Sequence, residues 1–572
     1  MYVRDLVPVM RKSSHRPGAG IKFLSCLLSG VGLLFSFAPF NLNFLAFLAL
    51  IPLLFATRPP CPPKRALLCG MLFGLGLFIP GISWIRYVTL PGWVLLACYC
   101  AAYYSLFALF SSRVQRQGKG ISGGLALTAA WVILEYVRST LMTGFPWFLL
   151  AHTQHNFTSF IQVADITGTY LISAVVFLVN YLLGEALIVF FERRKILSPG
   201  LQWRIFSAVI LLSTCCAYGA LRIQRMNMSA SITVAVAQSN IPQMMKEVFS
   251  SAYDPTAVFH QYLTLSRKLR REDRIDLLVW PETIILAPHF LNVAPGVLNE
   301  PYSKPSRYAQ EQLASLARSL GTYILTGAIS RVPASHGYVE EPGIVPESDW
   351  KKFYNSAYLL DKEGKYVDRY DKIHLVPFGE YIPWTRIFPF FQQVAQQFVP
   401  FTEFLSPGER FTVFSVPSQE RNVRFGVLIC YEDTDSSIAR IFRRNGAEFL
   451  VNISNDAWFG TSGELDQHFA AAKFRAIENR VGIVRAGNTG ITGLITPSGE
   501  VSKLLYVEKN GKKVLKNIAD TLVGPVYITK QSSLYVTLGD LPLIVGGLLF
   551  LLGWGTRNWP LLVIVGNRTG LR

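Results

Sequence analysis

Phe425-Gly-Val-Leu-Ile-Cys430 is an apolar run that ends in a thiol, and Tyr431, Glu432 and Asp433 follow it at once. Such a run reads as a buried strand whose last side chain stands at the lip of a sheet. The chain has 8 cysteines, and Cys430 is the only one in the long polar stretch between two groups of apolar segments. With no second cysteine in its domain, it does not read as half of a disulfide. Two readings stay open on the local pattern, a nucleophile and a small buried hydrophobe.

Outward from this strand the pattern repeats. Ser231–Ala237, Asp276–Trp280, Tyr323–Ile329 and Ala447–Ile453 are short apolar or β-branched runs. Residues 256–272 and 306–320 have helical spacing and many charges. Tyr354–Leu360 and Lys365–Lys372 predict a hairpin joined by Asp361-Lys-Glu-Gly364. Short buried strands alternating with helices predict an α/β domain with a largely covered sheet. Glu282, Lys372 and Cys430 each fall at a strand end, where α/β sites form. The combination has a chemical logic. A free thiol is mostly protonated at neutral pH, so a carboxylate must take its proton during attack. An ammonium can then stabilise the thiolate and a tetrahedral oxyanion.

Further out the chain turns apolar. Of its 572 residues 51% are hydrophobic and 16% charged, and the apolar ones crowd before residue 223 and after residue 540. A helix needs about 20 apolar residues to cross a bilayer. Candidate spans are 22–39, 42–57, 66–86, 91–112, 124–142, 168–191, 205–222 and 541–563. The first two are short, as in a tilted or re-entrant hairpin. The first lacks a small-x-small cleavage site and is read as retained. The domains expected are 1–222, a bundle of about seven helices, 223–530, the α/β domain, and 541–563, a last membrane helix.

The formal charge of +18 has a specific distribution. Arg4, Arg11, Lys12, Arg16 and Lys22 precede the first span, and Arg58, Lys64 and Arg65 follow the second. Arg113, Arg116 and Lys119 follow the fourth, and Arg193, Arg194, Lys195 and Arg204 lie between the sixth and seventh. Alternate loops have almost none. This positive-inside pattern puts both termini in the cytoplasm and the α/β domain outside, and it accounts for the basic charge without nucleic acid. Glu135 and Arg138 share a helical face within the fifth span and are expected to pair or to face a cavity. His152 and His155 are too few ligands for a metal site. The aromatic and proline-rich stretch 381–401, with Trp384, Phe391 and Phe398, is expected to form a lid or arm at the membrane interface.

Trp280-Pro-Glu-Thr283, Tyr370–Glu380 and Cys430-Tyr-Glu-Asp433 together resemble the nitrilase superfamily. Lys372 with His374-Leu-Val-Pro-Phe-Gly-Glu-Tyr381, Asn455-Asp-Ala-Trp-Phe-Gly460, Gln467-His468 and Gly144-Phe-Pro-Trp147 extend the match. Over nearly the whole chain it is similar to the superfamily's membrane-embedded branch, the apolipoprotein N-acyltransferase family. The resemblance implies a multi-pass helical bundle with an αββα sandwich on its outer side. It implies Glu282 as general base, Lys372 as oxyanion partner, and Cys430 as nucleophile and thioester carrier. Glu380, Tyr431 and Glu432 would support them. No cofactor or metal is implied. The partners implied are a glycerophospholipid acyl donor and a diacylglyceryl-apolipoprotein acceptor in a bacterial inner membrane, with the chain working as a monomer. A tethered amidase hydrolysing a small amide is the alternative. One departure stands out: where the family often has tryptophan after a lysine, this chain has Glu247 after Lys246.

Overall fold

The computed structural model describes residues 18–117, 120–193, 198–243, 257–285, 304–333, 350–383, 405–418 and 421–558. The residues offered above for a lid, Trp384, Phe391 and Phe398, and the Lys246–Glu247 pair lie outside them.

Among the described residues, five helices are long and apolar enough to cross a membrane: Pro63–Gly81, Leu90–Gln117, Ile121–Thr143, Thr169–Phe191 and Pro199–Gln224. The expected spans at 22–39 and 42–57 fold as shorter pieces. Ala19–Leu34 is one helix. A 3-10 turn, Asn43–Phe47, and a short helix, Ile51–Ala56, make the other. Leu541–Asn558 packs beside the fifth expected span, with Ile544 against Val132. Many large apolar side chains remain exposed on these helices, among them Leu24, Leu95, Phe206 and Leu549. Apolar surface of that extent suits lipid rather than water.

The bundle has two chemically different ends. Arg58 pairs with Glu185, and Arg116 reaches the Cys61 carbonyl, at one end. At the other end Trp84, Trp147 and Thr169 meet the α/β domain.

The α/β domain contains two six-stranded sheets with the same pattern of strand directions. We number the strands β1 (Ser229–Gln238), β2 (Leu277–Val279), β3 (Tyr323–Pro333), β4 (Trp350–Leu360), β5 (Tyr366–Asp371), β6 (Phe414–Pro417) and β7 (Asn422–Ile429). They continue with β8 (Phe449–Ser454), β9 (Gly482–Gly487), β10 (Gly493–Ile495), β11 (Val501–Leu504), β12 (Val507–Lys509), β13 (Lys512–Val514) and β14 (Asp520–Ile528). The sheet orders are β14-β1-β2-β3-β4-β5 and β6-β7-β8-β9-β10-β11. In each, three parallel strands are flanked by one antiparallel strand on one side and two on the other. Parallel strands need cover on both faces, and β8 and β9 are buried at every residue.

One core fills the space between the sheets, with Val234, Val279 and Leu359 from the first and Val427, Val451 and Val484 from the second. Helices Ala257–Ser266 and Lys304–Leu320 cover the first sheet's outer face around Trp280. Glu464–Asn479 lies between the second sheet and the bundle: its Ala472 and Ala476 join the domain core, while its Phe474 and Ile477 join the bundle core. The domain is thus an αββα sandwich, as the motifs implied. Helix Pro199–Gln224 leads into β1, and β14, paired antiparallel to β1, leads back towards the last helix. Entry and exit on adjacent strands let a whole domain sit between two membrane segments without a crossing connection.

Candidate active site

The strand ends converge. Glu282 follows β2, Lys372 follows β5 and Cys430 follows β7, and all three lie in one electrostatic neighbourhood. The Glu282 turn is fixed by Gly327 on β3. Gly327 N–H donates to the Pro281 carbonyl at 3.1 Å, and its own carbonyl accepts from Ile284 N–H at 3.0 Å. A Cβ at Gly327 would stand 2.5 Å from the Pro281 oxygen and 2.7 Å from the Glu282 Cα. Only glycine lets the turn lie this close to the strand.

Lys372 is 1% exposed, and its Nζ is 2.9 Å from Glu380 Oε1 and 3.8 Å from Glu282 Oε1. Burial opposes its charge, but Glu380, Cys430 and Glu282 outweigh burial and raise its pKa. The ammonium therefore stays charged at neutral pH. Glu380 is anchored by Val376 N–H, which donates to its Oε2 at 2.7 Å.

Asn355, on β4, is the residue that sequence reasoning missed. Its Nδ2 donates to Glu282 Oε1 at 2.6 Å and to Glu380 Oε1 at 3.1 Å, bridging the two carboxylates. Its Oδ1 is buried without a hydrogen-bond partner among the described residues. The other oxygen of Glu282 accepts from the backbone N–H of Asn455, after β8, at 2.7 Å. Glu282 is thus oriented from both sheets at once.

Cys430 opens a 3-10 turn, Cys430–Thr434, and has φ +52°, a left-handed conformation uncommon for a side-chain-bearing residue. Burial, and then the Glu282 carboxylate, push its thiol up to about 12, while Lys372 and His468 pull it down. The resting group is a neutral thiol beside a carboxylate and two cations. Glu432 is a brace. Its Oε1 accepts from Tyr370 OH and Ile373 N–H, both at 2.8 Å, and from His374 N–H at 3.1 Å, and its Oε2 accepts from Ile429 N–H at 2.8 Å. It ties the Cys430 turn to the segment that carries Lys372. Tyr431 turns towards the bundle, parallel to Trp147 with centroids 6.4 Å apart.

Glu135 and Arg138 do not form the expected pair. Arg138 donates to the carbonyls of Phe145 at 2.8 Å and Trp147 at 2.6 Å, while Glu135 accepts from Leu150 N–H at 2.8 Å. Unsatisfied backbone groups in an apolar setting are costly, so both side chains serve the 144–150 loop instead of each other. His155 bonds Asn41 at 2.7 Å, and His152 lies against Phe474.

The carbon-nitrogen hydrolase family model matches residues 233–511, and the model for the apolipoprotein N-acyltransferase N-terminal domain matches residues 29–182. The class is thereby defined: a membrane-embedded enzyme of the carbon-nitrogen hydrolase superfamily. The chain is 34% identical to the apolipoprotein N-acyltransferase of Geobacter metallireducens, over 91% of this chain and 92% of that one. It is 30% identical to the Chromobacterium violaceum apolipoprotein N-acyltransferase, over 94% and 95%. Among solved structures it is similar to Nit3 of Saccharomyces cerevisiae, a member of branch 10 of the nitrilase superfamily, with a TM-score of 0.34 and 18% identity, over 54% of this chain and 94% of that one. The chain belongs to the apolipoprotein N-acyltransferase family.

Proposed function

We propose that the enzyme moves a fatty acyl chain from a glycerophospholipid to the α-amino group of an S-diacylglyceryl cysteine at a lipoprotein N-terminus, with Cys430 as the intermediate carrier. The observation that carries this reading is the meeting of Glu282 and Glu380 around the buried Lys372 ammonium beside the Cys430 thiol.

In the first half-reaction Glu282 takes the thiol proton as sulfur attacks the ester carbonyl. Lys372 faces the charge that develops on sulfur and on the carbonyl oxygen. Collapse breaks the ester C–O bond, Glu282 returns the proton to the departing oxygen, and a lysophospholipid leaves. In the second, the amine attacks the thioester, Glu282 takes a proton from nitrogen, and the C–S bond breaks to restore the thiol and release an amide. The thioester retains the acyl group's activation, so neither metal nor nucleotide takes part in these steps. Asn355 keeps two carboxylates close together and Glu282 aimed at the thiol.

The setting favours a lipid donor. Each buried CH₂ of an acyl chain is worth ~0.8 kcal/mol, so extracting a long chain into water is costly. A thiol held against a bundle can receive it by lateral movement. The basic residues at the far end of the bundle support a cytoplasmic location for that end, with the α/β domain and Cys430 at the outer face of a bacterial inner membrane. On this reading the shorter apolar helices also lie in the bilayer, the domains run 1–222, 223–530 and 541–563, and the chain works as a monomer.

The test is mass spectrometry of the full-length protein after incubation with phosphatidylethanolamine. The expected product carries one long acyl chain on the Cys430 peptide, and a diacylglyceryl peptide discharges it as an amide. An acyl group lost to water as fast as to the amine supports the amidase alternative, and no acyl group on Cys430 overturns the proposal.

A further inference from the structure

We infer that His468 is a positioning residue for Cys430, and that two tryptophans of the membrane bundle, Trp84 and Trp147, hold it in place through Gln467. The inference rests on the reading of Cys430 as nucleophile and adds a physical link from the bundle to it.

His468 lies on helix Glu464–Asn479 and is 2% exposed. Its Nε2 is 2.7 Å from Asp433 Oδ1, and its Nδ1 is 3.2 Å from Asp456 Oδ1 and 3.3 Å from Glu464 Oε1. Each ring nitrogen faces carboxylate oxygen, so each must donate, and the ring is an imidazolium. Arg485, on β9, bonds the same two aspartates, to Asp433 Oδ2 at 2.9 Å and Asp456 Oδ2 at 3.0 Å. Two cations balance two aspartates. Glu464 completes the group as a mostly neutral acid near or below neutral pH, its carboxyl pushed up to about 7 by burial and by Asp456.

This buried cluster grips the nucleophile's turn at two points. Asp433 is three residues after Cys430 in the same 3-10 turn. Arg485 also bonds Asn452 Oδ1, and Asn452 Nδ2 donates to the Cys430 carbonyl at 3.2 Å. The left-handed backbone of Cys430 is therefore held from the second sheet. The charged groups facing the thiol are Glu282, Lys372, His468, Asp456 and Arg485. Lys372 comes from the first sheet and His468 from the helix behind the second, so the developing thiolate is met by cations from both halves of the sandwich.

The bundle sets the position of that helix. Gln467 Oε1 accepts from Trp147 Nε1 at 2.8 Å and from Trp84 Nε1 at 3.2 Å. The Trp147 ring also lies 5.7 Å from the His468 ring and parallel to Tyr431. Two indole N–H groups on one amide oxygen fix Gln467, and the next residue on a packed helix has little freedom left. The nucleophile is then tuned by a contact that exists only when the bundle and the domain are docked.

The experiment follows alkylation of Cys430 by iodoacetamide, a small neutral reagent that needs no lipid site, in full-length detergent-solubilised protein. The Cys430 peptide is quantified by mass spectrometry between about pH 6 and pH 9, where the thiolate fraction governs the rate. The wild-type rate should rise steadily with pH. In His468→Gln the log rate line should move about one unit to higher pH, so alkylation is about tenfold slower at each pH. Trp147→Phe keeps a ring but loses the N–H, and should move the line the same way by about a third of that. A purely structural role would lower the labelled fraction without displacing the line. Should His468→Gln fail to fold, Trp147→Phe and Gln467→Leu, which leave the charges intact, carry the test. A line for His468→Gln that coincides with wild type overturns the inference, and one for Trp147→Phe that coincides overturns the bundle's part in it. Absence of labelling in the wild type would instead count against Cys430 as the nucleophile.

Discussion

The two sheets share a pattern of strand directions but not a setting. The first is covered by Ala257–Ser266 and Lys304–Leu320; the described side chains of the latter bury Leu313, Leu316 and Ala317 and leave Glu311 and Arg318 exposed. The second is covered by Glu464–Asn479, whose 16 residues are buried except for Asp466 and Gln467. A solvent-facing helix needs one apolar stripe; this one has a buried side chain, apolar or hydrogen-bonded, on nearly every face, because the bundle lies behind it. The difference matters for chemistry. The water-side sheet contributes Glu282, Asn355 and Lys372, bonded to one another directly or through Glu380, with Glu282 also held by the Asn455 N–H of the other sheet. The membrane-side sheet contributes Cys430, oriented by a charge cluster backed by the bundle. On the proposed reading, acid–base function and nucleophile come from differently supported halves, and separate perturbation of the two tests that division.

The largest effects should come from removing one member of either half. Cys430→Ala and Glu282→Gln should each lower acyl transfer at least about a thousandfold, since groups acting as a unit fail together. Measurement of the acyl-enzyme separates them: the first variant can form none, and the second should form it slowly at the same site. Next comes a change confined to the water-side half. In Gly327→Ala the new methyl would collide with backbone on three sides of the Glu282 turn. Acylation should fall about a hundredfold, because roughly 1 Å of misplacement suffices for that. The rate at which iodoacetamide labels Cys430 should change much less. Equal loss of both would show that the halves are not separable.

A third change addresses the membrane-side half through its docking. Arg480, fully buried, pairs with Asp165 of the bundle side at 2.6 Å. Arg480→Met leaves Asp165, among the described residues, with only the partly exposed Arg222 as ionic partner. Breaking a buried pair costs about 3 kcal/mol here, at the low end of the usual range because Arg222 remains. The loss should appear in the midpoint of thermal unfolding and should be nearly independent of salt.

How far the sequence revealed this division depends on the range of the interactions. Glu282, Lys372 and Cys430 follow strand ends within short local patterns that pointed to one sheet edge, whereas Glu380 was expected from the family resemblance alone. Asn355 was not legible. It stands in a strand between Tyr354 and Ser356, and its value depends on β2, β4 and the Glu380 turn meeting in space. The His468 cluster draws Asp433, Asp456, Glu464 and Arg485 from four elements, which only the sheet order makes neighbours. The long apolar helices were visible from composition, and so was the shortness of the first two. Glu135 and Arg138 were placed on one face correctly, but the need of the 144–150 backbone for partners outranked their mutual attraction.

The smallest effect is the counterpart to Arg480 on the same sheet. Arg421 pairs with Glu448 through two hydrogen bonds, at 2.9 and 2.7 Å, yet its side chain is 46% exposed. Water competes for both groups, so Arg421→Ala should cost only about 0.5 kcal/mol and less in high salt. Partial burial opposes ionisation of Glu448, but Arg421 and the Arg424 N–H outweigh it and hold its carboxyl below the usual carboxylate range. A carboxyl depressed on folding adds stability above its unfolded pKa and loses it as pH falls through the folded one. The Arg421→Ala deficit should therefore be present at neutral pH and disappear in acid, below about pH 4. Two arginine–carboxylate pairs of the same chemistry, one sealed beneath the bundle and one wet, would then differ about sixfold in stability, and only the wet one would respond to salt. If the Arg421 variant lost as much as the Arg480 variant, the contrast between a membrane-backed face and a water-backed rim would be wrong.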